Sequence, residues 1–254
     1  MNIAVCVKQV VTRDWPLRVN ESAEWVRDHD ASFEMNEPDA YALEEALRLK
    51  EQHGGEVVVC VAGPPRVTQV IREALARGAD RAIHVQHEQL AFADANVVAS
   101  ALATAMLPEQ FDLVLTGLQS DDQGFGQTGV ILAERLGLPH ATIVMEVDAS
   151  GVNDIRVKRE LEGGWFQWVS MPTPALLTIQ SGINQLRYAT LKGIMAAKRK
   201  EVRSVEPEEL QPAGQHIVRL YVPEKEKATR FIEGSPEAAS RALVRLLCEE
   251  ARVL

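Results

Sequence analysis

The sequence predicts an α/β fold: a mostly parallel, doubly wound sheet with added antiparallel strands and a C-terminal arm ending in a helix. Three observations carry this prediction. Short apolar runs alternate with amphipathic helical stretches through residues 1–139. Those runs are apolar at successive positions, as in strands buried on both faces of a parallel sheet. After Pro139 the helices give way to short strand-like runs separated by glycine or proline, the pattern of hairpins.

The first strand spans residues 2–7. Residues 8–33 read as a hairpin-like excursion, with turns at Trp15-Pro16 and Asn20-Glu21-Ser22 and short edge strands at 17–19 and 24–26. Asn36 is the expected N-cap of the first helix, with Pro38 in its first turn and Gly54-Gly55 as its stop. A strand at 56–62 precedes a helix carrying Val67, Val70, Ile71, Ala74 and Leu75. A short strand at 82–85, an alanine-rich helix at 95–107 and a strand at 113–115 follow. Beyond Pro139 lie strands at 143–147, 155–159, 165–170 and 175–179. Residues 180–192 have no clean period and read as a loop, and 193–200 as a short basic helix. Residues 1–200 are expected to form the α/β domain. Residues 201–254 form a polar, proline-punctuated arm closed by a helix from Ser235 that carries Ala239, Ala242, Leu243, Leu246 and Leu247. That helix needs something to pack on, in its own domain or on a partner.

Composition excludes several classes. Lys and Arg total 27 against 36 Asp and Glu, a net charge of −9, which speaks against a general nucleic-acid binder. No run of about 18 apolar residues exists to enter a membrane. The N-terminus lacks the basic start and apolar core of a secretory signal. Cys6, Cys60 and Cys248 are far apart and odd in number, so they read as reduced, buried thiols of a cytoplasmic protein. The histidines show no zinc spacing.

The stretch most suggestive of chemistry is Gly117-Leu118-Gln119-Ser120-Asp121-Asp122-Gln123-Gly124-Phe125-Gly126-Gln127-Thr128, closed by Gly129. It links a buried strand to a helix, an order that gathers backbone N–H groups and a positive dipole end where a phosphate could rest. The same glycines would serve a plain turn equally well. Two other segments, 6–8 and 62–64, leave strand carboxyl ends, where sheets of this kind bind ligands. There is no G-x-S-x-G elbow, no G-x-x-x-x-G-K-[ST] loop and no nucleophile–base pair. Asp121 and Asp122 read as solvated or capping groups more readily than as metal ligands. A nucleotide site with no reaction to run points to binding, regulation or electron transfer.

One further pattern is specific. Val157-Lys158-Arg159-Glu160, Gly163-Gly164 and Pro172-Thr173-Pro174-Ala175-Leu176-Leu177-Thr178 together resemble the signature of electron transfer flavoprotein β subunits. Ala4-Val5-Cys6-Val7-Lys8-Gln9-Val10, Met35-Asn36-Glu37-Pro38, Ala42-Leu43-Glu44-Glu45-Ala46, Ala74-Leu75-Ala76-Arg77-Gly78-Ala79-Asp80-Arg81 and Gln127-Thr128-Gly129 are similar to further family segments in the same order. The resemblance implies a Rossmann-like, nucleotide-binding β subunit in a heterodimer whose α subunit holds most of the redox-active FAD. It implies structural AMP in the β subunit, lined by Cys6, Asn36, Glu37, Pro38, Asp39, Ala62 and residues 117–128. Glu160 would lie towards the α-subunit flavin. Arg187-Tyr188-Ala189-Thr190-Leu191 resembles the partner-recognition loop, with Arg187, Tyr188 and Leu191 docking an acyl-CoA dehydrogenase or similar donor. A quinone-linked oxidoreductase would be the acceptor. In the arm, Tyr221-Val222-Pro223-Glu224-Lys225, Ala228-Thr229 and Ile232-Glu233-Gly234 resemble the methylotroph subgroup that serves trimethylamine dehydrogenase, so an amine dehydrogenase donor stays open.

The chain departs from the family in places. Gly126 stands where AMP-binding members tend to have Asn, and Leu186 where Pro is usual before Arg187. Thr128 favours AMP, because relatives that bind a second FAD there and bifurcate electrons from NADH often carry Val. That bifurcating type is the alternative within the family. An adenine-nucleotide-using enzyme of the same architecture is the alternative outside it, and it lacks a catalytic pair.

Overall fold

A computed structural model describes residues 1–151, 153–223 and 229–253. The chain opens with β1 (Asn2–Cys6), then the small ribbon β2 (Gln9–Val11) and β3 (Phe33–Met35), then α1 (Glu37–His53). Next come β4 (Glu56–Gly63), α2 (Thr68–Arg77), β5 (Arg81–Gln86), α3 (Ala95–Met106), β6 (Leu113–Gly117) and α4 (Thr128–Leu136). The later elements are β7 (His140–Asp148), β8 (Asp154–Glu160), β9 (Phe166–Pro172), β10 (Ala175–Ile179), α5 (Leu191–Ala197), β11 (Val202–Val205) and α6 (Pro236–Glu249).

Nine strands form one sheet in the order β11-β5-β4-β1-β6-β10-β7-β8-β9. The pairs from β11 to β7 are parallel, and β8 and β9 complete the sheet antiparallel. Successive residues of the central strands feed opposite layers. Ile3, Val5, Val57 and Leu115 pack with α1 and α2, while Ala4, Val58, Cys60 and Val114 pack with α3 and α4. Burial on both faces explains why these strands are continuously apolar.

The strand order reverses at β1. The chain first works outward through β4 and β5, then restarts at β6 on the other side of β1. The carboxyl ends of β1 and β6 therefore diverge into a crevice, where open α/β sheets hold ligands. Two placements are not evident from local pattern. β10 returns to the middle of the sheet between β6 and β7, and Val202–Val205, expected in the arm, pairs with β5 as the edge strand β11.

Local expectations are corrected at three points. Asn36 flanks α1 but makes no side-chain cap, because its amide is used across the crevice. The helix expected at 193–200 starts at Leu191, since Thr190 Oγ1 accepts a hydrogen bond from the Gly193 N–H at 3.0 Å and caps it. Cys6 and Cys60 are buried as expected, but Cys248 is exposed, because α6 buries none of its residues. The excursion at 8–33 is held by the antiparallel β2–β3 ribbon and a bridge between Val19 and Val26.

The chain divides into two compact units, Met1–Arg219 and Leu220–Leu254. In the second, Ser235 caps α6 by accepting from the Ala238 N–H. Glu224, Lys225 and Ala228, part of the arm stretch that resembles the methylotroph subgroup, lie outside the described residues.

Candidate nucleotide site

The crevice between β1 and β6 is a lined cleft at the carboxyl ends of these strands, the usual place for a small-molecule site in such a sheet. Its floor is formed by Cys6, Val7 and Lys8 at the end of β1, Ala62 near the end of β4, and Thr116 and Gly117 at the end of β6. One wall is apolar and comes from the segment entering α3: Leu90, Ala91, Ala93, Val98 and Leu102. The other is the loop from Gly117 into α4.

That loop is held in shape from both sides. The Leu118 N–H donates to Ile179 O at 2.9 Å, anchoring it to β10. Asn36 grips it with both ends of its amide: Nδ2 donates to Gln119 O at 3.0 Å and Oδ1 accepts from the Asp121 N–H at 2.9 Å. Gly124 closes a turn onto Ser120 O at 2.9 Å. At Gly126 the backbone has φ +63°, a left-handed conformation that suits glycine or asparagine. Gln127 precedes α4 without a side-chain cap. The first N–H groups of α4 therefore lack an intrahelical partner, and Gln127, Thr128 and Gly129 line the cleft where an anion could take them.

Charge is distributed unevenly. The Lys8 ammonium reaches Asp122 Oδ1 at 2.7 Å, and Ser120 Oγ and Gln123 Oε1 at 3.4 Å each. Arg13 pairs with Glu37 and with Asp121, the latter at 3.1 Å. All three are partly exposed pairs that neutralise the acidic rim and contribute little stability. Asp39 is different. Its carboxylate is buried in the floor, where Oδ2 accepts from the Lys8 N–H at 2.8 Å and Oδ1 from the Gly117 N–H at 2.9 Å. Burial pushes its pKa up to about 7, although the N–H groups of Lys8 and Gly117, the Asn36 amide and the Lys8 charge pull it down.

The structure thus gathers Cys6, Asn36, Asp39, Ala62, Gly117, Leu118, Gln119, Ser120, Gln123, Phe125, Gly126, Gln127 and Thr128 around one cleft. Glu37, Pro38, Asp121, Asp122 and Gly124 are adjacent but do not line it. Sequence reasoning reached Lys8 only as part of the strand-end segment 6–8, and it passed over Thr116 and the apolar wall. The wall carries no motif. Among the described residues no group of His, Cys, Asp and Glu is arranged to hold a metal ion, and no helix is long and apolar enough to cross a membrane.

Glu160 and the 187–191 loop lie outside the cleft. Glu160 ends β8 and accepts from Gln180 Nε2 at 3.4 Å. Arg187 is spent internally: its guanidinium donates to Glu44 at 2.8 and 3.0 Å and to Glu51 at 2.6 and 3.2 Å. These carboxylates raise the Arg187 pKa further above its ordinary range. Tyr188 and Leu191, by contrast, are 92% and 84% exposed.

Residues 24–210 match the family model described as electron transfer flavoprotein domain. The chain is 36% identical to the electron transfer flavoprotein subunit beta of Methylophilus methylotrophus over 261 aligned positions, covering 98% of both chains. It is 33% identical to the subunit of the same name from Bacillus subtilis, and 36% identical to the mitochondrial one of Oryza sativa subsp. japonica, over the full length of each.

Proposed function

The chain belongs to the electron transfer flavoprotein family as a β subunit, and from that premise we propose that its β1–β6 cleft holds AMP as a structural nucleotide. A β subunit works with an α-subunit partner, and the flavin belongs to the heterodimer. The observation that carries the AMP reading is the uncapped start of α4, set behind a glycine loop in a cleft at the sheet's switch point. The residues fit the ligand. Thr128 and Gly129 offer N–H groups to a phosphate, Gly126 turns the loop towards them in a left-handed conformation, and Leu90, Ala91, Val98 and Leu102 form an apolar wall suited to a base.

FAD, held mainly by the α subunit, supplies the electron storage when bound. On this chain Glu160 faces that flavin. Tyr188 and Leu191 dock the donor, an acyl-CoA or amine dehydrogenase, while Arg187 fixes their loop to α1; a quinone-linked oxidoreductase takes the electrons onward. A small apolar anchor rimmed by polar contacts gives the rapid dissociation that a carrier needs.

The test is stoichiometry. The chain is co-purified with its α subunit, and nucleotide released by denaturation is identified by mass and counted. One FAD and one AMP per heterodimer is the expected result. Two FAD would overturn the AMP reading in favour of a bifurcating subunit that uses NADH, and ATP turnover by the chain would favour an enzyme of the same architecture.

A further inference from the structure

We propose that residues 9–35 form a strap along the carboxyl edge of the sheet that gates the exchange of nucleotide, with Arg13 and Trp25 as its fastenings. This rests on the nucleotide reading above, and it concerns how a ligand enters and leaves the cleft, not which groups hold it.

Both roots of this excursion line the cleft: Lys8 at one end and Asn36 at the other, joined by the Asn36 N–H donating to Lys8 O at 2.9 Å. None of residues 9–35 lines it. The excursion instead reaches the connections that leave the neighbouring strands. Arg13 donates to Asp121 Oδ1 at 3.1 Å, on the loop after β6, and pairs with Glu37 at the start of α1. Asp28 lies 3.6 Å from the Arg66 guanidinium, which also sits 4.3 Å from the centre of the Phe33 ring; Arg66 belongs to the connection after β4. Trp25 meets Phe92 edge to face, with ring centroids 5.6 Å apart, on the segment after β5. Since β5, β4, β1 and β6 are consecutive in the sheet, a chain that leaves β1 and makes these contacts runs from the glycine loop to the apolar wall.

The two end fastenings bear on the walls themselves. Asp121 is next to Ser120, which lines the cleft, and Phe92 stands between Ala91 and Ala93, which also line it. Both fastenings are weak. The Arg13 side chain is largely exposed, so its pairs hold little, and one edge-to-face aromatic contact is worth about tenfold in an equilibrium. The root is firm by contrast: Val10 is buried in the core, and the nearly buried Gln9 donates to Arg66 O at 3.2 Å. At the far end a single bridge, Val19 to Val26, is the only strand pairing. A firm root with weak rim contacts lets the strap open locally while the sheet stays intact. Because the strap holds the walls and does not line the cleft, undoing it lowers the barrier to entry and release alike and leaves affinity unchanged. Excursion residues that only completed the packing of the site would, when removed, weaken affinity instead.

The heterodimer carrying radiolabelled AMP is chased with unlabelled AMP, and uptake of labelled AMP is timed on the same protein after nucleotide depletion. Trp25→Ala should speed release and uptake together, each about tenfold, with their ratio held within about twofold. Trp25→Phe keeps an aromatic edge against Phe92 and should stay within about twofold of the unaltered protein in both rates. Arg13→Gln should speed both about threefold at low salt, the difference fading at high salt. Faster release with unchanged uptake in Trp25→Ala would make Trp25 part of the packing of the site and overturns the gate. Unchanged rates in both Trp25→Ala and Arg13→Gln overturn it too and leave the AMP site standing. Failure of the unaltered heterodimer to take up AMP overturns the nucleotide reading with it. Arg13→Gln changes an exposed side chain, so the gate stays falsifiable even if Trp25→Ala does not fold.

Discussion

At Gly129 a Cβ would stand 2.6 Å from Thr116 Oγ1 and 2.7 Å from Thr178 Cγ2. Both neighbours are buried in the central strands β6 and β10 and have nowhere to retreat. Gly129→Ala should therefore lift α4 off the sheet, with a loss of about 1–3 kcal/mol read as a lower thermal midpoint and a weaker hold on nucleotide. Gly126 is the contrasting case: the nearest atom to a Cβ there is Leu118 O at 3.5 Å, and φ +63° is tolerated by asparagine. Gly126→Asn should change stability by no more than about 0.5 kcal/mol and strengthen AMP retention by adding a donor. Asp39 makes the fold sensitive to pH. Its pKa rises from 3.8 to about 7 on folding, so between these values the native state holds a proton that the unfolded chain has released. Stability falls as pH rises through this window, and the cost is fully present above about 7. Removing the charge in Asp39→Asn should flatten that slope; an unchanged slope in thermal midpoint against pH would show that other groups carry it.

The element that presents Leu191 is held by reciprocal end contacts. Arg72 on α2 donates to the Ala197 carbonyl at the end of α5 at 2.6 Å, and Lys200 donates to the Leu75 and Ala79 carbonyls at the end of α2 at 2.9 and 2.5 Å. Each helix satisfies the other's orphan carbonyls. The preceding loop is fixed to α1 by Arg187 on the nearly buried Glu44. Two substitutions separate anchor from contact. Leu191→Ala removes an exposed side chain and should slow electron acceptance from a dehydrogenase with no change in thermal midpoint or flavin content. Arg187→Ala should slow acceptance and also lower the midpoint by a few degrees, as about 1 kcal/mol corresponds to roughly 2–4 °C for a chain of this size. Unchanged kinetics in Leu191→Ala would remove that residue from the docking surface. The helix itself was half legible. A basic amphipathic stretch announces α5, but Thr190 as its cap competes with a reading of 180–192 as featureless loop. Asn36 shows the opposite failure: its type and position fit an N-cap, and a long-range partner 85 residues away claims the amide instead.

Across the whole molecule, the parallel sheet was readable because strands buried on both faces have no polar alternation, and their spacing by helices implies parallel crossovers. The cleft was readable through the same logic, since residues 6–8, 62–64 and 117–129 all leave strand carboxyl ends and do converge. What local pattern could not give was the insertion of β10 between β6 and β7, because strand order is a matter of long-range pairing, or the apolar wall, whose residues look like any helix face. Charge is the other molecular property with consequences. The chain carries −9 overall, yet Lys192, Lys198 and Arg199 are all exposed around Leu191 and Met195, and among the described residues none of the three is ion-paired. A basic island on an acidic protein orients encounter: a donor with an acidic rim is drawn to the α5 face and repelled elsewhere. Such steering depends on the reach of the field, about 30 Å at 0.01 M salt and about 8 Å at 0.15 M. Electron acceptance should therefore slow as salt is raised across that range. Lys192→Glu with Lys198→Glu should reduce the low-salt rate about tenfold while the two proteins converge at high salt, because the Leu191 contact is intact in both. Stopped-flow reduction of the heterodimer flavin by a dehydrogenase measures this directly, and a rate indifferent to both salt and charge reversal would mean that α5 does not meet the donor.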